Sequence, residues 1–341
     1  MLDYSGFVEK MKELHFAMRD VYMKTLLKAR RTSFVSVSRI AKFGVGDLSY
    51  AIDKVPDKLL EKTFEKWGKE MPMVVVEEEW GATTFPKGTR PEDCEIKLII
   101  DRLDGTREIM YGKNRAWILT GIAPNKGAKT YLDDIEVAVQ TSVGKSVFGE
   151  DEVLWATKKS KPVLETWNLD EGEFLEELPI RPSQANTIEH GFFPIVLYFE
   201  GYKKILGDIA DELTEKIIGS VHKGISRVFD EQYITSGGEL AYLVTGKYRG
   251  IIDIRPFLGR ITGTPFGLCA HPYDLCTKLI VDRAKAIIHC YGVYTDRIQK
   301  NVPLDATTDV AFIAFANERI RRQVEPTLKK ILANYNIKIP I

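Results

Sequence analysis

Two apolar runs that stop abruptly in acid constrain this chain more than any other feature. Val74, Val75 and Val76 lead straight into Glu77, Glu78 and Glu79, and the run Ile96-Lys97-Leu98-Ile99-Ile100 leads into Asp101. Runs rich in Val and Ile predict buried strands. Carboxylates at the ends of such strands sit at the rim of a core, where several can be aimed at one point. Asp104-Gly105-Thr106 follows at once and opens a short helix-compatible stretch, residues 107–111. Carboxylate oxygens hold Mg²⁺, and backbone N–H groups at a helix start hold an anion. The spacing therefore suits a hard cation and a phosphate together. Taken singly, Asp-Gly is a common hairpin turn and a Glu triplet an ordinary solvated strand end. The order and spacing of the pieces carry the reading.

Four such pieces occur along the chain. Asp47-Leu48-Ser49-Tyr50-Ala51-Ile52-Asp53 precedes a helix. Glu77-Glu78 ends a strand. Asp101-Arg102-Leu103-Asp104-Gly105-Thr106 ends the next apolar run, and Pro272-Tyr273-Asp274-Leu275 opens a helical pattern near the C-terminus. In this order they resemble the motifs of the inositol monophosphatase and fructose bisphosphatase superfamily of metal-dependent, lithium-sensitive-type sugar phosphatases. There the third motif reads Asp-Pro-Ile/Leu-Asp-Gly-Thr, so Arg102 stands where the family has Pro. The resemblance covers residues 10–158 and 225–341, and residues 160–219 match no part of it.

The resemblance implies roles residue by residue. Glu77 matches a first-site metal ligand, with Glu78 supporting it or helping to bind another ion. Asp101 matches the carboxylate that bridges two ions, Leu103 a ligand through its backbone carbonyl, and Asp104 and Asp274 second-site ligands. Thr106 and Asp53 match the pair that activates the attacking water, with Glu77 alongside as a catalytic residue through its metal. The N–H groups of Gly105 and Thr106 are expected to hold phosphate oxygens. Ile234, Thr235 and Ser236 fall at the start of a helix that faces substrate hydroxyls, and Asp253 falls where the inositol enzymes carry a hydroxyl-binding Glu. The implied cofactor is Mg, two or three ions per site, with Mn or Ca as crystal substitutes. The implied reaction is direct hydrolysis of a phosphate monoester of a sugar or inositol, without a phosphoenzyme. Two alternatives stay open: a phosphatase for fructose 1,6-bisphosphate or another bisphosphate, for which Lys247, Arg249 and Arg255 are candidate second-phosphate contacts, and a non-catalytic binding protein on the same fold.

Composition narrows the partners. Lys plus Arg equals Asp plus Glu at 48 each, so no global basic field draws nucleic acid. The longest apolar stretches, near residues 192–199 and 310–316, are far too short to span a membrane. Cys94, Cys269, Cys276 and Cys290 contain no CxxC pair and no zinc spacing. Reduced thiols and a cytoplasmic setting are expected, and the resemblance implies a small phosphorylated substrate and a homodimer as partners. Gly144-Lys145-Ser146 is not a phosphate loop, because the first Gly that motif needs is replaced by Val139.

Helical spacing is predicted over residues 4–31, 56–69, 205–219, 233–246, 272–288 and the end of 309–332. Strands are predicted near 73–76, 96–101, 117–123, 131–141, 152–157 and 251–254. Residues 161–182 read as an acidic surface excursion. The fold the resemblance implies, which this pattern fits, is α+β or α/β: a layered α-β-α-β-α sandwich with a mostly antiparallel N-terminal sheet and a mixed C-terminal sheet. The expected halves are 1–220, metal-binding, and 221–341.

Overall fold

The computed structural model describes residues 4–43, 48–220, 224–262 and 268–339; Asp47, the first carboxylate of the motif ending in Asp53, lies outside them. The chain enters through the long helix α1 (Gly6–Arg31), which buries Phe7, Met11, Leu14 and Met18 at helical spacing. A single helical turn, α2 (Val35–Ser38), and a hairpin of β1 (Ile40–Phe43) and β2 (Leu48–Tyr50) lead to α3 (Asp57–Glu70).

Eight strands then form one sheet: β3 (Met73–Glu77), β4 (Gly81–Phe85), β5 (Ile96–Asp104), β6 (Ala116–Pro124), β7 (Val137–Val143), β8 (Asp151–Thr157), β9 (Val163–Asn168) and β10 (Glu173–Leu178). Their spatial order is β10-β9-β8-β7-β6-β5-β3-β4. β3 and β5 pair in parallel, and the remaining pairs are antiparallel. The short helix α4 (Thr106–Met110) joins β5 to β6.

The C-terminal half supplies α5 (Lys203–Ile218), α6 (Ser236–Val244), β11 (Gly250–Asp253), α7 (Arg255–Thr262), α8 (Lys278–Arg283), β12 (Ile287–Val293), β13 (Ile298–Gln299), β14 (Asp309–Phe315) and α9 (Glu318–Asn334). Its four strands pair antiparallel in the order β11-β14-β12-β13. Beside β11 the chain near Ile195 makes only isolated parallel bridges, Ile195–Ile252 and Phe192–Tyr248. The C-terminal sheet is therefore antiparallel rather than mixed as expected, and the one parallel pair among the described strands, β3–β5, falls in the N-terminal sheet.

The layers follow from which faces are apolar. α1 and α3 cover one face of the large sheet, burying Met18 and Tyr22 with Phe64, Leu98 and Ile100. α6 and α8 lie between the two sheets, where Trp117, Leu119, Leu240 and Ile280 share one cluster with Ile252 and Phe312. α5 and α9 pack on each other, and α9 closes the outer side of the small sheet. The α-β-α-β-α sandwich expected from the sequence is the observed fold.

Two segments depart from expectation. Residues 161–182 are not a surface excursion but the hairpin β9–β10, which extends the large sheet. Its acidic look has a simple origin: β10 is the edge strand and all but its last residue are exposed, so Glu173, Glu176 and Glu177 face water. Residues 272–288 are not one helix. Turns at 272–277 precede α8, the chain breaks at Lys285 with φ 62°, and β12 begins at Ile287.

Candidate active site

The ends of β3 and β5, the start of α6 and the turn before α8 converge at one cleft. The first device that builds it is a register slip. Asp101 lies opposite Leu119 on β6, whereas Asp104 lies opposite Trp117. Three steps on β5 thus match two on β6, which is a β-bulge. Side chains alternate along a regular strand, so residues three apart would point to opposite faces. The bulge cancels that alternation and turns both carboxylates toward the space between the sheets. Asp274 arrives from the turn before α8, and one oxygen each from Asp101, Asp104 and Asp274 lie within 4.8 Å of one another.

Each carboxylate is held by neighbours. Asp101 Oδ1 accepts the Leu103 N–H at 2.9 Å. Burial drives its acidity well down, and the nearby Asp104, Asp274 and Glu78 add to the upward pKa shift. Asp104 Oδ2 accepts the Thr235 hydroxyl at 2.6 Å and the Gly237 N–H at 2.6 Å. That ties it to the first turn of α6, where free N–H groups favour an anion. Burial still outweighs those bonds and pushes Asp104 up to about 6. Asp274 Oδ2 accepts the His271 N–H at 2.6 Å, and the His271 ring stacks on Tyr273. Three carboxylates crowded out of water repel one another unless a cation sits among them. An all-oxygen donor set of this kind fits a hard divalent ion such as Mg²⁺.

Beside the carboxylates stands a hydroxyl. Gly105 has φ 92°, and a Cβ there would come within 3.2 Å of Thr235 Cβ, so only glycine makes this turn comfortably. The turn presents Thr106, whose Oγ1 lies 2.8 Å from the Leu103 carbonyl and 3.0 Å from Asp53 Oδ1. Asp53 sits in the turn between β2 and α3, and its other oxygen accepts the Tyr50 N–H at 2.6 Å. Burial raises the Asp53 carboxyl to about 6, against the lowering effect of these two hydrogen bonds.

The structure brings together Glu78, Asp101, Leu103, Asp104, Gly105 and Thr106, and across the cleft Ile234, Thr235, Ser236 and Asp274. It sets two sequence candidates apart. Glu77 is fully buried on the other side of the sheet, because β3 alternates and Val75 and Glu77 face α1 and α3. There Arg102 Nη2 meets Glu77 Oε1 at 2.7 Å, while the N–H groups of Glu79 and Trp80 bind the same carboxylate. The cleft-side carboxylate of the triplet is Glu78. Asp253, also fully buried, is gripped by Arg255 through Nε at 2.9 Å and Nη2 at 2.7 Å. It is Arg255 that reaches the cleft wall. Of the other second-phosphate candidates, Lys247 lines a different cavity and Arg249 binds the carbonyls of Thr187, Glu189 and His190.

Sequence reasoning did not find Arg107, Tyr198 and Phe199 at this cleft. Arg107 lies over the Tyr50 and Phe199 rings at 5.5 and 5.2 Å, and Arg255 over Tyr198 at 4.8 Å. The two aromatic residues come from the unmatched region 160–219. Adjacent Tyr198-Phe199 after an apolar run was the one local signal of a wall rather than a strand interior.

No protein-family model matches the sequence, and neither does any curated protein. Solved structures match along nearly the whole chain. The extragenic suppressor protein SuhB from Bartonella henselae aligns with TM-score 0.62 at 16% identity, covering 96% of this chain and 99% of that one. The IMPase of Thermotoga maritima gives TM-score 0.59 at 16% identity over 97% and 99% of the two chains. Fructose-1,6-bisphosphatase of Leishmania major in its holo form gives TM-score 0.66 at 10% identity over 97% and 96%.

Proposed function

We propose that this chain, whose fold is that of the inositol monophosphatase and fructose-1,6-bisphosphatase structures, is a Mg²⁺-dependent phosphatase acting on a phosphate monoester of a sugar or inositol. The observation that carries the reading is the juxtaposition of the Asp101, Asp104 and Asp274 oxygens, within 4.8 Å of one another, with the hydrogen-bonded Thr106–Asp53 pair. Glu78, Asp101, Asp104 and Asp274, with the Leu103 carbonyl, are the groups that would hold the metal. When bound, it supplies Lewis-acid neutralisation of the phosphoryl and leaving oxygens and makes a bound water more acidic.

The chain's own residues do the rest. Thr106 Oγ1 hands its proton to Asp53 and is left with lone pairs to take one from water. A base works best with a pKa near the working pH, and a buried Asp53 raised to about 6 meets that condition. The N–H groups of Gly105 and Thr106 orient phosphate oxygens at the turn. Ser236 lines the facing wall and offers its hydroxyl to the organic part of the ester, while Thr235, bonded to Asp104 and the Gly238 N–H, holds that wall in place. Tyr198 and Phe199 cover the cleft and limit water.

One observation favours a second reading. Arg107 places a cation at the cleft beside Thr106, which would suit a substrate with a second anionic group, such as a sugar bisphosphate. A homodimer is part of the proposal, and a sizing column run against 38.7 kDa standards tests it. No helix among the described residues is long and apolar enough to cross a membrane. The deciding experiment is phosphate release from a panel containing an inositol monophosphate, sugar monophosphates and fructose 1,6-bisphosphate, with Mg²⁺ and with chelator. Metal-dependent release from one of them is expected. A panel inert under both conditions would return the fold to a binding role.

A further inference from the structure

At the C-terminal end of α4 and the loop that follows it lies a second cavity of about 540 Å³. That volume is in the range of small-ligand pockets. Its chemistry is the reverse of the catalytic cleft. Lys113, Arg115, Lys145 and Lys247 line it, with Glu152 as the one carboxylate among the lining residues. Glu152 is shared: Arg115 Nη2 lies 2.8 Å from one oxygen and Lys247 Nζ 3.9 Å from the other. The acids near the remaining two cations are outside the lining. Glu108 is 3.8 Å from Lys113, and Asp170, 3.0 Å from Lys145, is also bound by Arg19 at 2.7 Å.

Arg115 makes this more than a patch of surface lysines. It is only 5% exposed, and its Nη1 has no hydrogen-bond partner. The guanidinium lies over the Trp117 ring at 4.7 Å, and Lys247 lies over Tyr242 at 4.7 Å. Rings attract cations but accept no strong hydrogen bond, so they position the charges without neutralising them. A buried guanidinium nitrogen left unpaired is costly. At the rim, Val147 and Phe148 are 94% and 82% exposed, an unusual state for two adjacent large apolar side chains.

We propose that this cavity is a binding site for a small phosphorylated molecule. Its phosphate would be held by Arg115, Lys113, Lys145 and Lys247, and its organic part would rest on Val147 and Phe148. Arginine and lysine together provide the planar fork and the mobile point charges that phosphate recognition uses. The site shares no lining residue with the catalytic cleft, so it stands whether or not the chain is a phosphatase.

The test is calorimetric titration of the chelated, metal-free full chain with adenosine 5′-monophosphate and, separately, inorganic phosphate. It is run on the parent chain, on Lys113→Ala/Lys145→Ala/Lys247→Ala, on Phe148→Ser, and on Asp274→Asn as a cleft control. One saturable site is expected, weakened at least about tenfold in the triple variant and unchanged in Asp274→Asn. Phe148→Ser should weaken the nucleotide and leave phosphate alone. The three lysines are partly exposed, so the triple variant should keep the parent's melting curve. Absence of saturable binding overturns the proposal. So does binding that the triple variant retains, or that only Asp274→Asn abolishes.

Discussion

Thr106 and Asp53, 53 residues apart in sequence, meet through a 3.0 Å hydrogen bond from Oγ1 to Oδ1. The same hydroxyl sits 2.8 Å from the Leu103 carbonyl. Its single proton serves two acceptors, so the pair is readily shifted by whichever group takes the proton more strongly.

If the pair activates water, Thr106→Ala lowers kcat and kcat/KM together, by about 10²–10⁴-fold. Asp53→Asn gives a similar loss, and the double variant loses little more, because both act on one water. A helix cap alone would cost about 0.5–2 kcal/mol of stability and spare turnover. Steady-state kinetics and melting curves on the three variants separate the two roles.

Asp101→Asn removes one charge from a cluster that already repels itself. Turnover should fall more than about 100-fold, since metal-centred charge stabilisation is worth several kcal/mol. In chelator the same variant should melt higher than the parent, by about 1–2 °C for each kcal/mol of relieved repulsion. Scanning calorimetry with and without Mg²⁺ reads both effects, and a lower melting point in chelator would count against the crowding argument.

Glu77 and Glu78 are neighbours with opposite expected phenotypes. Glu77→Gln leaves the buried Arg102 without its 2.7 Å partner. Breaking a buried pair costs about 3–5 kcal/mol, so urea unfolding should show a large loss. Glu78→Gln should leave metal-free stability near the parent's and weaken Mg²⁺ binding in a titration. The reverse assignment would make Glu77 the cleft ligand after all.

His15 predicts an acid limb. It is fully buried between Thr141 and Thr120, at 2.9 and 2.8 Å, and burial lowers its pKa to about 3. The unfolded chain takes up a proton near pH 6.5 and the folded chain does not. Its contribution is therefore intact above pH 6.5 and lost as pH falls from there toward 3, at about 1.4 kcal/mol per pH unit. His15→Gln should flatten that stretch of the stability curve, whatever it does to the plateau.

Much of this molecule is local in origin. The apolar runs at 74–76 and 96–100 became adjacent parallel strands. The long first helix, the strands of the large sheet up to residue 157 apart from the edge strand β4, and the acidic residues at strand ends were readable, because period and β-branching act over a few neighbours. The segments misjudged were those whose partners are remote. β10 looks like solvated loop because only one of its edges is paired, and β12 continues the apolar spacing of the helix before it until Lys285 breaks the chain.

At the site, the sequence by itself determined which residue types are present and their order: Asp101, Asp104, Gly105, Thr106 and Asp274, with Asp53 far upstream. The tertiary structure decided which of them share a space. The slip between β5 and β6 brings Asp101 and Asp104 to one face, against plain strand alternation. That alternation, left intact in β3, sends Glu77 away to Arg102 and leaves Glu78 at the cleft. Register and long-range pairing belong to the whole packed molecule, and no window of sequence holds both partners of a contact made across 53 or 131 residues.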